Sequence, residues 1–396
     1  MFIKVAKNRL IGVALVVLSI ITTNAQIVCG ADRDAEYVSK LSGKRVAVVC
    51  NQTSIRQNQE HLVDYLLKQK VNIVTVFSPE HGFRGTASAG EELEDGKDKA
   101  TGLPIVSLYG KNKKPTAEML AGVDVVLFDL QDVGTRFYTY ISTMSLMMEA
   151  CAELNKPMIV LDRPNPNGHY IDGPVLKPGF ESFVGMHPVP VVHGVTVGEY
   201  ARMVNGERWL ADSVVCDLTV VGVLNYAHNT PYSLPVAPSP NLPNELAIRL
   251  YPSLCFFEGT SVAIGRGTDL PFQQMGAPWL KPYFPEYQFT PKPNEGAKDP
   301  KYIGEACYGV VLTDFARSFL PNFNHIYLYW LMEAYQLAPD KEKFFVPYFD
   351  KLAGSDALRL QIQAGVSEDE IRQSWERDIY LYKIIRAKYL LYPDFE

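Results

Sequence analysis

Residues 71–84, VNIVTVFSPEHGFR, set a carboxylate (Glu80), an imidazole (His81) and a guanidinium (Arg84) directly behind an apolar run. A short continuous apolar run bounded by turn residues reads as a buried strand, so these polar side chains are displayed at its C-terminal end. A carboxyl group between Phe77 and Phe83 is partly withheld from water. That disfavours its charged form and suits Glu80 to donate a proton as a general acid. His81 is expected to contact a ligand rather than a metal, because no histidine, His169, His187 and His193 included, falls into HExxH or HxH spacing. No metal and no other cofactor is expected.

A second group is DLQDVGTRFYTY at 129–140. Asp129 closes another apolar run, VDVVLF, and a second carboxyl at a neighbouring strand end meets the demand of glycoside hydrolysis for two carboxyl groups in separate roles. Asp132 is placed to replace Asp129. Arg136 offers a planar fork for an anion, while Tyr138 and Tyr140 offer ring faces for a sugar. In LDRPNPNG (161–168), Asp162 and Arg163 again follow an apolar run, where an arginine held by an aspartate presents a fixed fork. Asn51 ends a fourth run, KRVAVVC; FFEGTSVAIGRGTD (256–269) contributes Glu258 and a glycine-flanked Arg266; VVHGVTVGEYA (191–201) contributes His193. Each of these residue types also has a structural use, since Asp and Asn cap helices and form turns and tyrosines pack on sheets. Convergence of four strand ends on one edge is what favours a site.

That convergence follows from the fold the sequence specifies. Between 44 and 165 the strands KRVAVVCN, VNIVTVFSPE, PIVSLYG, VDVVLFDLQD and PMIVLDRPN alternate with the helical patterns HLVDYLLKQK, PTAEMLAG and TYISTMSLMMEACAEL. Continuous apolar strands separated by helices indicate an α/β fold, a Rossmann-like doubly wound parallel sheet covered on both faces. Such sheets bind ligands beyond the carboxyl ends of their strands. Neither G-x-G-x-x-G nor G-x-x-x-x-G-K-[ST] follows any of these strands, which argues against a nucleotide cofactor, and no G-x-S-x-G elbow is present.

One more helix and strand (TVGEYARMVNGE, CDLTVVGVLNY) precede TPYSLPVAPSPNLPNE at 230–245, whose five prolines exclude a central strand and stiffen the chain. A domain boundary near 235 is expected, with the Rossmann-like domain at 26–235 and a smaller α/β domain at 236–396. In the latter, ELAIRLYP reads as helix, the stretch through CFFEGTSVAIG as strand and turn, and YGVVLTDF as strand. NHIYLYWLMEAYQL and SEDEIRQSWERDIYLYKIIRAKYLL read as helices, the second opening on Ser367 and Glu370 at capping-box spacing.

Residues 1–25 stand apart. Lys4, Lys7 and Arg9 precede an apolar run from Leu10 to Thr22 and the small-residue stretch Thr23-Asn24-Ala25, the pattern of a removable signal peptide. The run falls short of the roughly 20 residues that span a membrane. An exported, periplasmic protein with no membrane span after signal removal is expected. Removal would take three positive charges from a chain whose formal net charge is already -6, which argues against nucleic acid as a partner. Cys29, Cys50, Cys151, Cys216, Cys255 and Cys307 are spread singly, without CxxC, so few or no disulfides are expected in a core of this size.

With these residues in hand, the chain resembles a bacterial family of exo-β-N-acetylmuramidases, peptidoglycan-processing glycoside hydrolases formerly described only as a domain of unknown function. The resemblance covers nearly the whole chain after residue 25. Its carriers are SPEHGFRG (78–85), DLQDVGTRFYTY (129–140), LDRPNPNG (161–168), VVHGVTVGEYA (191–201), PSPNLP (238–243), FFEGT (256–260) and GRGTD (265–269). It implies a Rossmann-like domain joined to a smaller α/β domain with the active cleft between them. It also implies a glycan substrate ending in non-reducing N-acetylmuramic acid, and the glutamate of SPEHG, Glu80, as catalytic acid.

The lactyl carboxylate of such a sugar requires a cation, for which Arg84, Arg136, Arg163 and Arg266 are the candidates. Asp129, or the substrate's own 2-acetamido group, is expected to support the oxocarbenium-like transition state. The rival readings are a periplasmic sugar-binding protein without catalysis and a muropeptide amidase or esterase.

Overall fold

The computed structural model describes residues 26–80, 82–83, 96–110 and 112–396. The expected signal peptide, His81 and Arg84 lie outside these residues.

The first half of the chain runs α1 (Asp34–Leu41), β1 (Arg45–Cys50), α2 (Leu62–Lys68), β2 (Asn72–Ser78), β3 (Gly96–Lys97), β4 (Pro104–Ser107), β5 (Val125–Asp129), α3 (Tyr140–Glu153), β6 (Met158–Leu161), α4 (Val197–Gly206) and β7 (Leu218–Val221). Its strands form one seven-stranded sheet in the order β3-β4-β2-β1-β5-β6-β7, parallel except where β3 pairs antiparallel with β4. Strand β1 explains the continuous apolar runs. Val46, Val48 and Cys50 join one core with Tyr37 of α1 and Leu62 and Leu66 of α2, whereas Ala47 and Val49 join a second with Met144 and Met147 of α3. A strand covered on both faces leaves no place for alternating polar residues.

Two local expectations fail. Residues 117–122, within the expected helix PTAEMLAG, form turns. Leu120 is buried there, but between Pro115 and Gly122 too few residues remain to offset the cost of helix nucleation. CFFEG, expected as strand, forms a 3-10 turn at Cys255–Gly259 directly after α5 (Glu245–Leu254). Its Gly259 is seated against the backbone of Phe349, where an added Cβ would lie 2.4 Å from Cα, so the chain turns to meet that contact instead of extending.

The second half continues with β8 (Gln274–Ala277), β9 (Gln288–Phe289), β10 (Cys307–Val311), α6 (Thr313–Ser318), α7 (Tyr329–Leu337), α8 (Tyr348–Ala353), α9 (Ala357–Gln363) and α10 (Glu368–Arg386). Its strands form a separate antiparallel sheet, β8-β10-β9. The core beneath α3 and α4 is continuous with that of α5, α7, α8 and α10. The predicted capping box opens α10: Ser367 accepts from the Glu370 N–H while Glu370 accepts from the Ser367 N–H.

This last helix and the residues after it return to the first half. Arg372 pairs with Asp172 at 2.9 Å, the Tyr382 hydroxyl donates to the His193 carbonyl at 2.6 Å, and Arg386 donates to the Gly194 carbonyl while holding Asp394. All six cysteines are buried, and among the described residues none forms a disulfide. Among the described residues no helix is long and apolar enough to cross a membrane.

Candidate active site

A cleft of about 1030 Å³ opens where the carboxyl edge of the large sheet faces the second half of the chain. Glu80, two residues beyond the end of β2, stands on its wall. The Thr139 hydroxyl, at the N-terminus of α3, donates to Glu80 Oε2 at 3.0 Å. Tyr109, which follows β4, also bonds the Glu80 side chain; burial and then the Glu80 charge push its phenol well up, so Tyr109 stays a donor. Behind Glu80 the Tyr140 hydroxyl lies 3.4 Å from the Glu80 carbonyl oxygen and 3.2 Å from that of Pro238, and accepts from the Asn51 side chain at 2.7 Å. Two segments distant in sequence thus hold the carboxyl group, and the Tyr140 hydroxyl, itself held by Asn51 and Pro238, backs its main chain.

One side of the cleft is aromatic. Tyr138 donates to the Pro238 carbonyl at 2.8 Å and sets its ring 6.1 Å from Tyr251. Tyr251 in turn stands edge-on to Phe137 at 5.2 Å and to Phe272 at 4.9 Å. These rings pack edge-to-face on one another and are almost wholly buried, so together they give the cleft an apolar floor for a pyranose. Tyr348 of α8 completes the lining.

On the other wall, Arg266 Nε donates to Glu258 Oε1 at 2.6 Å, and its guanidinium lies over the Phe272 ring at 5.0 Å. Burial would lower the Arg266 pKa, but the Glu258 charge outweighs it and the guanidinium is held above its ordinary value. Gly265 and Gly267 on either side both have positive φ, +78 and +77 degrees, and an added Cβ at Gly265 would lie 2.3 Å from the Leu270 carbonyl. The turn that presents Arg266 therefore needs glycine at both flanks. Lys301 donates to the carbonyls of Phe257, Thr260 and Val262, and burial lowers its pKa to about 8. It holds the turn that carries Glu258.

Several expected site residues lie beneath the cleft instead of on it. The sheet changes winding direction between β1 and β5, the place where open α/β sheets usually bind ligand. Here that crevice is closed by side chains. Asp129, expected as a catalytic partner, is fully buried; Arg163 holds its two oxygens at 2.6 and 2.8 Å and also reaches the Ile55 carbonyl. Asn51 is bonded to Thr53 and Tyr140.

Arg136, expected as an anion clamp, is fully buried and donates to the carbonyls of Pro174, Val189 and Leu352. Asp162 caps α4, accepting from Gly198 N–H and from the Thr196 and Tyr392 hydroxyls. Asp132 accepts from Gly134 N–H at 2.6 Å and lies 3.6 Å from His193 Nε2, both side chains buried. None of these residues lines the cleft. Each of them spends its hydrogen bonds on groups inside the protein, and only Asp129 and Arg163 do so as a buried ion pair.

Glu80, Tyr138, Glu258 and Arg266 are the expected residues that do line the cleft, with Tyr140 one layer behind. Sequence reasoning missed Tyr109, Thr139, Tyr251, Phe272, Lys301 and Tyr348. Thr139 sat inside a motif already singled out, and its place just before a helix is the signal that could have found it. Among the described residues, no group of three or more His, Cys, Asp or Glu is placed to hold a metal ion.

Residues 46–246 match the family model described as exo-β-N-acetylmuramidase NamZ, N-terminal, and residues 249–392 match its C-terminal counterpart. The chain belongs to the NamZ exo-β-N-acetylmuramidase family. The two family models meet at the start of α5, just after the proline-rich stretch.

Peptidoglycan β-N-acetylmuramidase NamZ of Bacillus subtilis (strain 168) is 39% identical over 381 residues, covering 90% of this chain and 89% of that protein. Two crystal structures of DUF1343 family proteins from Bacteroides fragilis NCTC 9343 share the fold. One has a TM-score of 0.86 and 46% identity over 93% of this chain and 100% of its own; the other has 0.77 and 32% over 92% and 99%. The Rossmann-like α/β fold expected from the strand pattern is thus that of the NamZ family.

Proposed function

We propose that this protein is an exo-acting β-N-acetylmuramidase that hydrolyses the glycosidic bond of a non-reducing terminal N-acetylmuramic acid in peptidoglycan fragments, with Glu80 as general acid. The observation that carries the assignment of Glu80 is its setting: a carboxyl group on the wall of an aromatic cleft, held by hydroxyl donors from Thr139 and Tyr109. Thr139 fixes Oε2 as an acceptor, which favours the acid proton on Oε1. That proton passes to the glycosidic oxygen as the bond from the anomeric carbon breaks. Of the two supports expected at the anomeric carbon, the enclosure of Asp129 by Arg163 favours the substrate's own 2-acetamido oxygen. That oxygen bonds to the carbon as the leaving group departs, and water later opens the cyclic intermediate while the Glu80 carboxylate accepts its proton.

An exported, periplasmic location belongs to the same reading. It rests on the basic residues, apolar run and small residues of the first 25 positions.

The test is product analysis by mass spectrometry on a defined muropeptide, together with hydrolysis of a chromogenic β-N-acetylmuramide. Release of intact N-acetylmuramic acid, abolished in Glu80→Gln with the circular dichroism spectrum unchanged, is the expected result. Release of peptide or lactate, binding without turnover, or full activity in Glu80→Gln would overturn it.

A further inference from the structure

The cleft contains a cation whose hydrogen-bonding capacity is unfilled. Among the described residues Arg266 donates only through Nε, to Glu258, and neither terminal nitrogen of its guanidinium has a hydrogen-bond partner. Both belong to a side chain that lines the cleft and is only 23% exposed. A guanidinium bound at Nε keeps the edge formed by its two terminal nitrogens, and that edge matches the spacing of two carboxylate oxygens.

Among the described residues the other cations fit this role less well. Arg136 and Arg163 are buried on internal carbonyls and on Asp129. The Lys301 ammonium is turned to three carbonyl oxygens of the Phe257–Val262 turn. Lys113 rests over the Phe183 ring at 4.7 Å, half-exposed, and Lys298 is exposed; water screens an exposed ammonium and leaves it little directional preference. Charge balance points the same way. Glu258 neutralises one of the two cations grouped around it, Arg266 and Lys301, and the Lys301 partners are uncharged carbonyls. Among the described residues no second carboxylate pairs with this couple on its own wall; Glu80 stands on the cleft in the role of the acid, and Asp299 on the neighbouring loop is exposed to solvent.

We infer that Arg266, oriented by Glu258 and backed by Phe272, is the receptor for the lactyl carboxylate and so the residue by which the cleft distinguishes N-acetylmuramic acid from N-acetylglucosamine. The inference rests on the proposed substrate class. A sugar held in the cleft between Glu80 and Arg266 presents a ring substituent to the guanidinium edge, and only the muramic sugar carries an anion there. Glu258 acts as a positioning residue: without it the fork rotates about its stem and the two-point contact is lost.

The experiment compares a chromogenic β-N-acetylmuramide with its lactyl methyl ester, which keeps the shape and removes the charge. The wild-type protein is expected to prefer the acid at least tenfold in kcat/KM, mainly through KM. Arg266→Gln should bring the ratio of acid to ester toward one. Arg266→Lys, which keeps the charge but cannot be clamped at Nε, should give an intermediate ratio, and Glu258→Gln should raise KM for the acid more than it lowers kcat. A preference for the acid that survives in Arg266→Gln overturns the inference.

A binding arm separates this from failure of the proposed reaction. Glu80→Gln protein titrated with N-acetylmuramic acid and N-acetylglucosamine should prefer the former, and Glu80→Gln/Arg266→Gln should not. If wild type leaves the muramide intact while this pair of titrations behaves as stated, the reaction is wrong and the receptor stands. If the double variant keeps the preference, the receptor is wrong whatever the reaction.

Discussion

Thr139 donates to Glu80 Oε2 across 3.0 Å, tying the residue before α3 to the residue that leaves β2. The bond reaches between segments 59 positions apart, and it selects which carboxyl oxygen accepts and which is favoured to carry the proton. Thr139→Val keeps the side-chain shape and removes the donor. We expect a fall in kcat of about tenfold, the equivalent of the 1–1.5 kcal/mol typical of one hydrogen bond. KM and thermal stability should change little, because Thr139 binds no substrate atom in this reading. A loss confined to KM would place Thr139 among the binding groups instead.

The Asp129–Arg163 pair makes a different forecast. Both side chains are buried, at 0% and 2% exposure, and are joined at 2.6 Å. Removing one partner of such a pair strands the other charge and costs about 3–5 kcal/mol. Asp129→Asn is therefore expected to lower the melting temperature sharply, and Asp129→Asn/Arg163→Met to recover part of the loss. Activity measured well below melting should follow the folded fraction. If Asp129→Asn melts like wild type and is inactive, the group is chemical after all and the 2-acetamido assistance falls.

These two pairs mark where sequence reading holds and where it stops. Strand ends were legible because a strand buried on both faces must be apolar throughout, as β1 and β5 are, so the polar residue that closes it announces the sheet edge. Which polar residue faces the cleft was not legible. Arg136 and Arg266 look equally fit for an anion in the sequence, yet Arg136 finds the Leu352 carbonyl 216 positions away, while among the described residues Arg266 bonds Glu258 alone, eight positions away, through Nε. The aromatic half of the cleft was missed for a related reason. Tyr251, Phe272 and Tyr348 come from the second half with the spacing of ordinary core residues, and only the closure of the two halves makes them a surface. Likewise, nothing local to α10 says that it folds back onto His193 and Gly194.

That return supplies a third forecast. The Tyr392 hydroxyl accepts from Val223 N–H at 2.9 Å and donates to the Asp162 carboxyl. Tyr392→Phe removes both bonds and leaves a buried donor and acceptor short of partners, a loss of about 1–3 kcal/mol. Chemical denaturation should register it, while kcat/KM at moderate temperature should not, since Tyr392 stands away from the cleft. A change in kcat/KM without loss of stability would couple the chain terminus to the site.

Asp162 also sets an acid-range forecast, together with His187. Burial raises the Asp162 pKa to about 6 from 3.8, although hydrogen bonds from Tyr392, Gly198 and Thr196 oppose it. Between these values the folded protein keeps a proton that the unfolded chain has released, so this group makes stability fall as pH rises from about 4 to about 6, by about 3 kcal/mol in all. His187, buried beside Trp209 with its Nε2 3.0 Å from the Ser145 hydroxyl, has its pKa lowered to about 4 from 6.5, burial being the main cause. There the unfolded chain holds the extra proton, so stability is lost as pH falls from about 6.5 to about 4, by a similar amount.

The two slopes oppose one another across nearly the same window. Asp162→Asn should therefore tilt the difference from wild type toward greater relative stability at the high end of the window, and His187→Gln should tilt it the other way. Urea denaturation of the three proteins at several pH values between 4 and 7 reads both. Parallel profiles for wild type and Asp162→Asn would mean that the α4 cap carries its charge unopposed, and that burial at this strand end is compensated by hydrogen bonding alone.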